Sequence, residues 1–226
     1  MLIVKLLSRF LNGVYRLFTK ASLQISYDFQ VWQAQELPKG PKIFCSNHFS
    51  SSDVHFVTTL SDGPLHMVIG PGFTIKFVRH LLRWMEQIPA DTKENRAKVV
   101  DRAVTYLDKG ENIYIFPEGK LNIMEKMENF KPGIARMYLK KHVPIIPIGL
   151  LAPRRRVRHR HSAAAGRNLT IVSRNYYANI GRPMEFPDAL ETAKTDQKKA
   201  EQMILDQLQE EIYRLIDDLK TNKFWS

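Results

Sequence analysis

At 226 residues the chain suffices for one domain with a sizeable core and is short for two. A hydrophobic share of 44% with 25% charged residues excludes a disordered polymer. The net charge of +11 calls for an anionic partner, and the single cysteine, Cys45, excludes an intrachain disulfide and a cysteine-based zinc site and suits a reducing compartment.

The first segment, residues 1–22, places Ile3, Leu6, Leu7, Phe10, Val14, Leu17 and Phe18 at helical spacing on one face. Lys5, Arg9, Arg16 and Lys20 interrupt any apolar run long enough to span a bilayer, and no uninterrupted signal-peptide core is present. Basic and aromatic residues around an apolar face suit a helix lying in the membrane interface. The same pattern serves a helix packed on the protein's own core, and periodicity does not separate the two.

Residues 23–226 read as one domain. Residues 42–46 form a short buried strand that runs into Asn47-His48-Phe49-Ser50-Ser51-Ser52-Asp53, rich in turn and helix-capping types, and residues 54–60 are helical. Residues 65–69 are a strand closed by the turn Gly70-Pro71-Gly72. Residues 74–86 read as an amphipathic helix with Ile75, Val78, Leu81, Leu82 and Met85 inward, and residues 93–109 as one helix stopped by Gly110. Residues 112–116 form an apolar strand ending at Pro117, and residues 132–141 a short helix. Residues 143–150 form a strand whose two prolines place it near an edge or sheet end. Further strands are expected at 169–173 and 176–180, then a closing helix over 196–220. Strands alternating with helices predict an α/β domain with a mainly parallel sheet flanked by helices, plus the N-terminal amphipathic helix. In such sheets, sites form where loops leave the carboxyl ends of strands, which singles out the loops at 46–53 and 117–122.

His48 and Asp53 are the first candidate pair. A carboxylate beside one imidazole nitrogen fixes the tautomer and leaves the other nitrogen free to take a proton. Five positions apart they do not share a face of a straight helix, so they meet only if the segment turns before the helix begins. Alone, this spacing is weak, because it arises often by chance. The second candidate is Phe116-Pro117-Glu118-Gly119-Lys120: glycine lets backbone N–H groups approach a ligand, and Lys120 can face an anion. A common polar turn with a solvated Glu118 is the plainer alternative. Ser50, Ser51 and Ser52 lack the G-x-S-x-G setting of a serine nucleophile, Cys45 reads as a core residue, and His159 and His161 show no metal-ligand spacing. Five arginines fall within residues 154–160, a surface loop whose guanidinium forks suit phosphate or which is simply solvated. No aromatics interleave with them, which argues against nucleic acid.

Together these motifs resemble the glycerolipid acyltransferases, the group that includes the bacterial 1-acylglycerol-3-phosphate acyltransferases and tafazzin. Asn47-His48 with Asp53 resembles the family's N-H-x4-D motif, Phe116-Pro117-Glu118-Gly119 its F-P-E-G, and Phe130-Lys131-Pro132-Gly133 its F-K-x-G. Residues 143–148 match its apolar, proline-containing block, and the motifs stand in the family's order over about residues 40–185. The resemblance implies an α/β membrane-associated acyltransferase in which His48 deprotonates the acceptor hydroxyl and Asp53 holds the imidazole. Glu118, Gly119, Lys120 and Lys131 would bind the acceptor's glycerol and phosphate end, and Pro147 would shape the acyl side. It implies a lysophospholipid or glycerol phosphate acceptor at a phospholipid membrane surface, with acyl-CoA, acyl carrier protein or a phospholipid as donor, and neither cofactor nor metal.

Two departures stand out. The family's G-x-x-F-I-D-R block corresponds to Met85–Thr92 without the closing arginine, with Lys93 or Arg96 as replacement cations. The stretch Gly119-Lys120-Leu121-Asn122 is closer to tafazzin and tilts the donor towards a phospholipid. A non-catalytic protein that binds anionic membranes is the rival, and it has no need of the His–Asp pair.

Overall fold

Segments that stay apolar without alternation belong in the middle of a sheet, covered by helices on both faces. Ile43–Ser46 and Asn112–Ile115 are buried at every position, and Ile145–Leu151 at all but its last. The computed structural model describes residues 2–122, 126–152, 156–162, 166–172 and 175–221, with backbone alone for 2–5, 156–162 and 166–172.

These segments form the centre of a seven-stranded sheet. Its order is β1 (Asp28–Gln33), β9 (Asn175–Ile180), β6 (Ile145–Leu151), β2 (Ile43–Ser46), β5 (Asn112–Ile115), β3 (Leu65–Ile69) and β4 (Ile88–Pro89). Every neighbouring pair is parallel except β6 and β9. The helices are α1 (Leu2–Ser26), α2 (Asp53–Val57), α3 (Lys76–Trp84), α4 (Lys93–Ala97), α5 (Val99–Asp108), α6 (Gly133–Lys141), α7 (Pro187–Ala193) and α8 (Gln197–Thr221). The single α/β domain predicted from the alternation is the architecture observed.

Successive strand residues serve opposite faces. Ile43, Cys45, Ile113 and Ile145 pack with Leu107 of α5, Ile134 of α6 and Ile204, Leu208 and Ile212 of α8. Phe44, Tyr114, Ile146 and Ile148 pack on the other side with Leu23 of α1, Phe56 of α2 and Tyr176. The α8 stripe follows the expected spacing, and each fully buried side chain on it contributes roughly 1.5–3 kcal/mol. At Gly149 the helix rests on bare backbone, since a Cβ there would lie 2.8 Å from Leu215 and Ile216 atoms.

The structure corrects several expectations. The strand expected near an edge, β6, is central. Its β9 ladder starts at Ile148, and at Pro147 only the carbonyl is used there, accepting from Gly181 N–H at 2.9 Å. The missing proline N–H therefore falls where the neighbouring strand is ending. The helix expected over 93–109 is two, because Lys98 N–H bonds Asn95 O, a tighter closure than α-helical spacing, before α5 starts. Residues 156–162 are a strand, β7, paired antiparallel with β8 (Gly166–Val172), not a loop. Arg154 and Arg155 lie outside the described residues. The edge strand β1 and helix α7 were not expected at all.

The largest correction concerns α3. None of its residues is buried, although an inward face was expected. Val78, Leu81 and Leu82 line a cleft, while Phe77 and Trp84 are 81% and 59% exposed. The helix closes with Gln87 N–H on Leu82 O at 2.8 Å, a Schellman-type end, and Glu86 takes the left-handed position at φ 55°. A non-glycine side chain is strained there. Glu86→Gly relieves that strain against the extra flexibility of the unfolded chain, a net gain of about 0.5–1 kcal/mol. Thermal denaturation should show a melting temperature higher by roughly 1–4 °C. A fall would mean that the Glu86 carboxylate itself contributes.

Helix α1 extends past the expected boundary at residue 22, and it docks by its polar side. Asn12 Nδ2 donates to Met85 O at 3.1 Å, Arg16 to Gly63 O at 3.1 Å and to Ser61 O, and Ser8 and Thr19 are buried. Its apolar side faces out: Phe10, Leu17 and Phe18 are 66%, 73% and 72% exposed. Of the two readings open from periodicity, packing of that face on the protein's own core is therefore not what occurs.

Candidate active site

The loop after β2 turns tightly before α2 begins, and the buried side chain of Asp53 makes that turn. Its Oδ2 accepts from Phe49 N at 2.9 Å and Ser50 N at 3.0 Å, and also from His48 Nδ1 at 2.9 Å. One carboxylate thus caps the turn and orients the imidazole. Asp53 is 0% exposed, and its Oδ1 accepts from the Tyr176 hydroxyl. Tyr176 lies flat against Phe56, ring centroids 3.5 Å apart. Burial, with the Asp53 charge beside it, pushes the Tyr176 phenol well above its ordinary pKa, so it remains a donor. The His48 ring stacks on Phe116 at 3.8 Å and lines the cleft, and its Nε2 makes no hydrogen bond among the described residues.

The loop after β5 clasps this turn from the other side. Glu118 is buried; its Oε1 accepts from His48 N at 3.0 Å, and its Oε2 from Asn122 Nδ2 at 2.7 Å and Glu128 N at 2.9 Å. Asn122 N–H donates to His48 O at 2.7 Å. The two loops, 70 positions apart in sequence, meet at the carboxyl edge of the sheet. Glu118 was expected to touch the acceptor or to be solvated; its oxygens instead hold the backbone on which His48 sits.

The rest of the F-P-E-G loop faces the cleft. Gly119 has φ +67°, and a Cβ there would lie 2.7 Å from Lys131 Nζ, so glycine is what lets Lys131 cross the loop. Lys131 makes no ion pair among the described residues. Lys120 also lines the cleft, but is held by Glu128 at 2.9 Å. Of the two candidate replacement cations, Arg96 lies on the cleft wall and Lys93 does not. Pro147, expected on the acyl side, is buried in the central strand where its ring approaches Gly181 and α8, and it is not part of the wall. The cleft measures about 1790 Å³ and combines this cationic rim with apolar walls from Met67, Ile69, Val78 and Leu82.

A second histidine–carboxylate pair lines the same cleft, and no motif or spacing had singled it out. His66 Nδ1 lies 2.8 Å from Glu86 O and Nε2 lies 3.1 Å from Glu111 Oε2, with the ring stacked on Tyr106 at 3.7 Å. Both nitrogens are occupied, and burial lowers the pKa despite the carbonyl and carboxylate opposing it. His66 is thus a structural crosslink, whereas His48 keeps one nitrogen open. Cys45 is fully buried in β2, and burial pushes its thiol up, away from nucleophilic use. The side chains of His159 and His161 lie outside what the structure describes.

Comparison with known proteins gives a consistent picture. Residues 28–151 match the family model described as Acyltransferase. The chain is 26% identical over 149 residues to chloroplastic 1-acyl-sn-glycerol-3-phosphate acyltransferases of Brassica napus and Arabidopsis thaliana. That match covers 63% of this chain but only 43% and 41% of theirs, so the chain spans less than half the length of these relatives. In fold it resembles the 1-acyl-sn-glycerophosphate acyltransferase PlsC of Thermotoga maritima, with a TM-score of 0.68 at 17% identity, covering 93% of this chain and 80% of that one.

Proposed function

Because this chain belongs to the acyltransferase family, we propose that it moves a fatty acyl group onto the free hydroxyl of a glycerol phosphate or lysophospholipid, with His48 as general base. The observation that carries this is the buried Asp53–His48 pair whose remaining nitrogen borders a cleft with a cationic rim and apolar walls. Nε2 takes the hydroxyl proton as the acceptor oxygen attacks the donor carbonyl. The resulting imidazolium returns that proton to the departing thiolate or alkoxide, and no covalent acyl-enzyme forms. Asp53 keeps Nδ1 protonated and stabilises the transient charge. Lys131 and Arg96 suit the acceptor's phosphate, and the apolar walls suit an acyl chain.

The donor stays within three classes: acyl-CoA, acyl carrier protein or phospholipid. The Gly-Lys-x-Asn stretch does not choose among them, because Asn122 is used in clasping the His48 loop. A peripheral or monotopic position facing a reducing compartment fits α1, which turns an apolar face outward. No helix among the described residues is long and apolar enough to cross a membrane. A non-catalytic membrane binder would leave the Tyr176–Asp53–His48 chain without purpose.

The test supplies purified protein with labelled lysophosphatidate and, in separate reactions, an acyl-CoA, an acyl carrier protein thioester or a diacyl phospholipid. A diacyl product from at least one donor is expected. Transfer from phospholipid alone would make the protein a transacylase, and no product from any of the three would overturn the reading.

A further inference from the structure

Helix α3 carries Lys76, Arg79, His80 and Arg83 with no acidic residue in its nine positions. Counted at about 100° per residue, these four share one arc of the helix. Phe77, Trp84 and Leu81 fill the adjoining arc, and Val78 and Leu82 the next. Leu81, Val78 and Leu82 line the cleft. Phe77 and Trp84 are not part of the cleft wall and are 81% and 59% exposed. A soluble surface rarely shows a phenylalanine and a tryptophan exposed along one line of a helix beside a row of cations.

The neighbouring helix repeats the pattern. On α1 the exposed Leu6, Phe10, Val14, Leu17 and Phe18 lie within an arc of about 120°. The opposite arc docks on the end of α3 through Asn12 and Met85 O.

We propose that α3 is a second membrane-contact element, lying in the headgroup region of an anionic bilayer with Phe77 and Trp84 inserted and Lys76, Arg79 and Arg83 on lipid phosphates. The occupant is a bilayer because the cations flank the aromatics on one helix, which is the arrangement of an interfacial helix. A protein interface centre is instead depleted of lysine. The inference rests on the membrane-surface part of the proposed function and adds a consequence: α3 is at once the wall of the cleft and the surface on the lipid, so a single helix thickness, about 10 Å, separates the two. An acceptor lipid would then reach the cleft without leaving the surface.

The experiment uses the full chain with vesicles of phosphatidylcholine, with and without phosphatidylglycerol. With Trp32 and Trp225 replaced by phenylalanine, Trp84 fluorescence should shift to the blue and be quenched by brominated lipid. The double variant F77S/W84S should bind anionic vesicles at least about tenfold more weakly. It should still acylate a short-chain acceptor below its micelle concentration at the parent rate, since neither residue borders the cleft. Parent-like vesicle binding by the double variant, or an unquenched Trp84 on vesicles that do bind, overturns the assignment while leaving the enzyme reading intact. Absence of vesicle binding by the parent overturns the membrane reading as well. Loss of a concentration-dependent dimer in the double variant would give the face to a second copy of the chain.

Discussion

Replacing His48 with alanine lowers acyl transfer by roughly 10²–10⁴-fold or more, while fold and vesicle binding persist. The geometry separates these effects. The ring's contribution to the fold is its stack on Phe116 and one hydrogen bond, a loss of about 1–2 kcal/mol and a melting temperature lower by several degrees. Asp53 does not become an unpaired buried charge in the variant, because Phe49 N, Ser50 N and the Tyr176 hydroxyl still donate to it. What disappears is the base with an open nitrogen on the cleft. The measurement is the initial rate with the best donor, beside a His66→Gln protein as comparison. His66→Gln should cost stability but keep most of the rate, since neither His66 nitrogen is free. Full activity in the His48→Ala protein would remove general-base catalysis by this residue, and with it the mechanism proposed.

How far the residues could be read in advance depended on what surrounds them. The central strands were legible because burial on both faces leaves an uninterrupted apolar run, as in Ile43–Ser46 and Asn112–Ile115. Strand β1 was not, because most of its positions are exposed at the sheet edge and its composition is mixed. The meeting of His48 and Asp53 was foreseeable only as a turn condition, and the structure shows the physical device: the carboxylate itself caps the turn. Tyr176 was invisible, being 123 positions from Asp53 and looking like any strand aromatic. For α3 the periodicity revealed an amphipathic helix but not what its apolar residues face. A spacing of three and four is the same whether the neighbour is a core, a cleft or lipid. Glu118 illustrates the limit at the site itself. Its motif marked it as important, yet a carboxylate that bonds substrate and one that bonds the backbone of the base look alike in sequence.

Asp53→Asn should separate the two duties that one carboxylate performs. The three N–H donors at Oδ2 come from His48, Phe49 and Ser50, so the amide must turn its oxygen towards them. Its NH2 then faces the Tyr176 hydroxyl, which can rotate to accept. The turn survives, and so does the His48 tautomer, because Nδ1–H still meets an oxygen. Only the charge that stabilises the imidazolium is lost. A barrier increase of about 3–4 kcal/mol is expected, a fall of roughly 10²–10³ in turnover, with a melting temperature within a few degrees of the parent. Asp53→Ala differs in kind. It leaves two backbone N–H groups, the His48 Nδ1–H and the Tyr176 hydroxyl without their acceptor inside the protein. At about 1–3 kcal/mol for each group that water cannot reach, the loss is large enough to unfold a marginal domain. Tyr176→Phe, which deletes one donor to Oδ1, should cost less than about tenfold in rate. If Asp53→Asn loses fold as fully as Asp53→Ala, the charge is structural. If it keeps both fold and turnover, Asp53 serves only to cap the turn, and His48 needs no carboxylate to work.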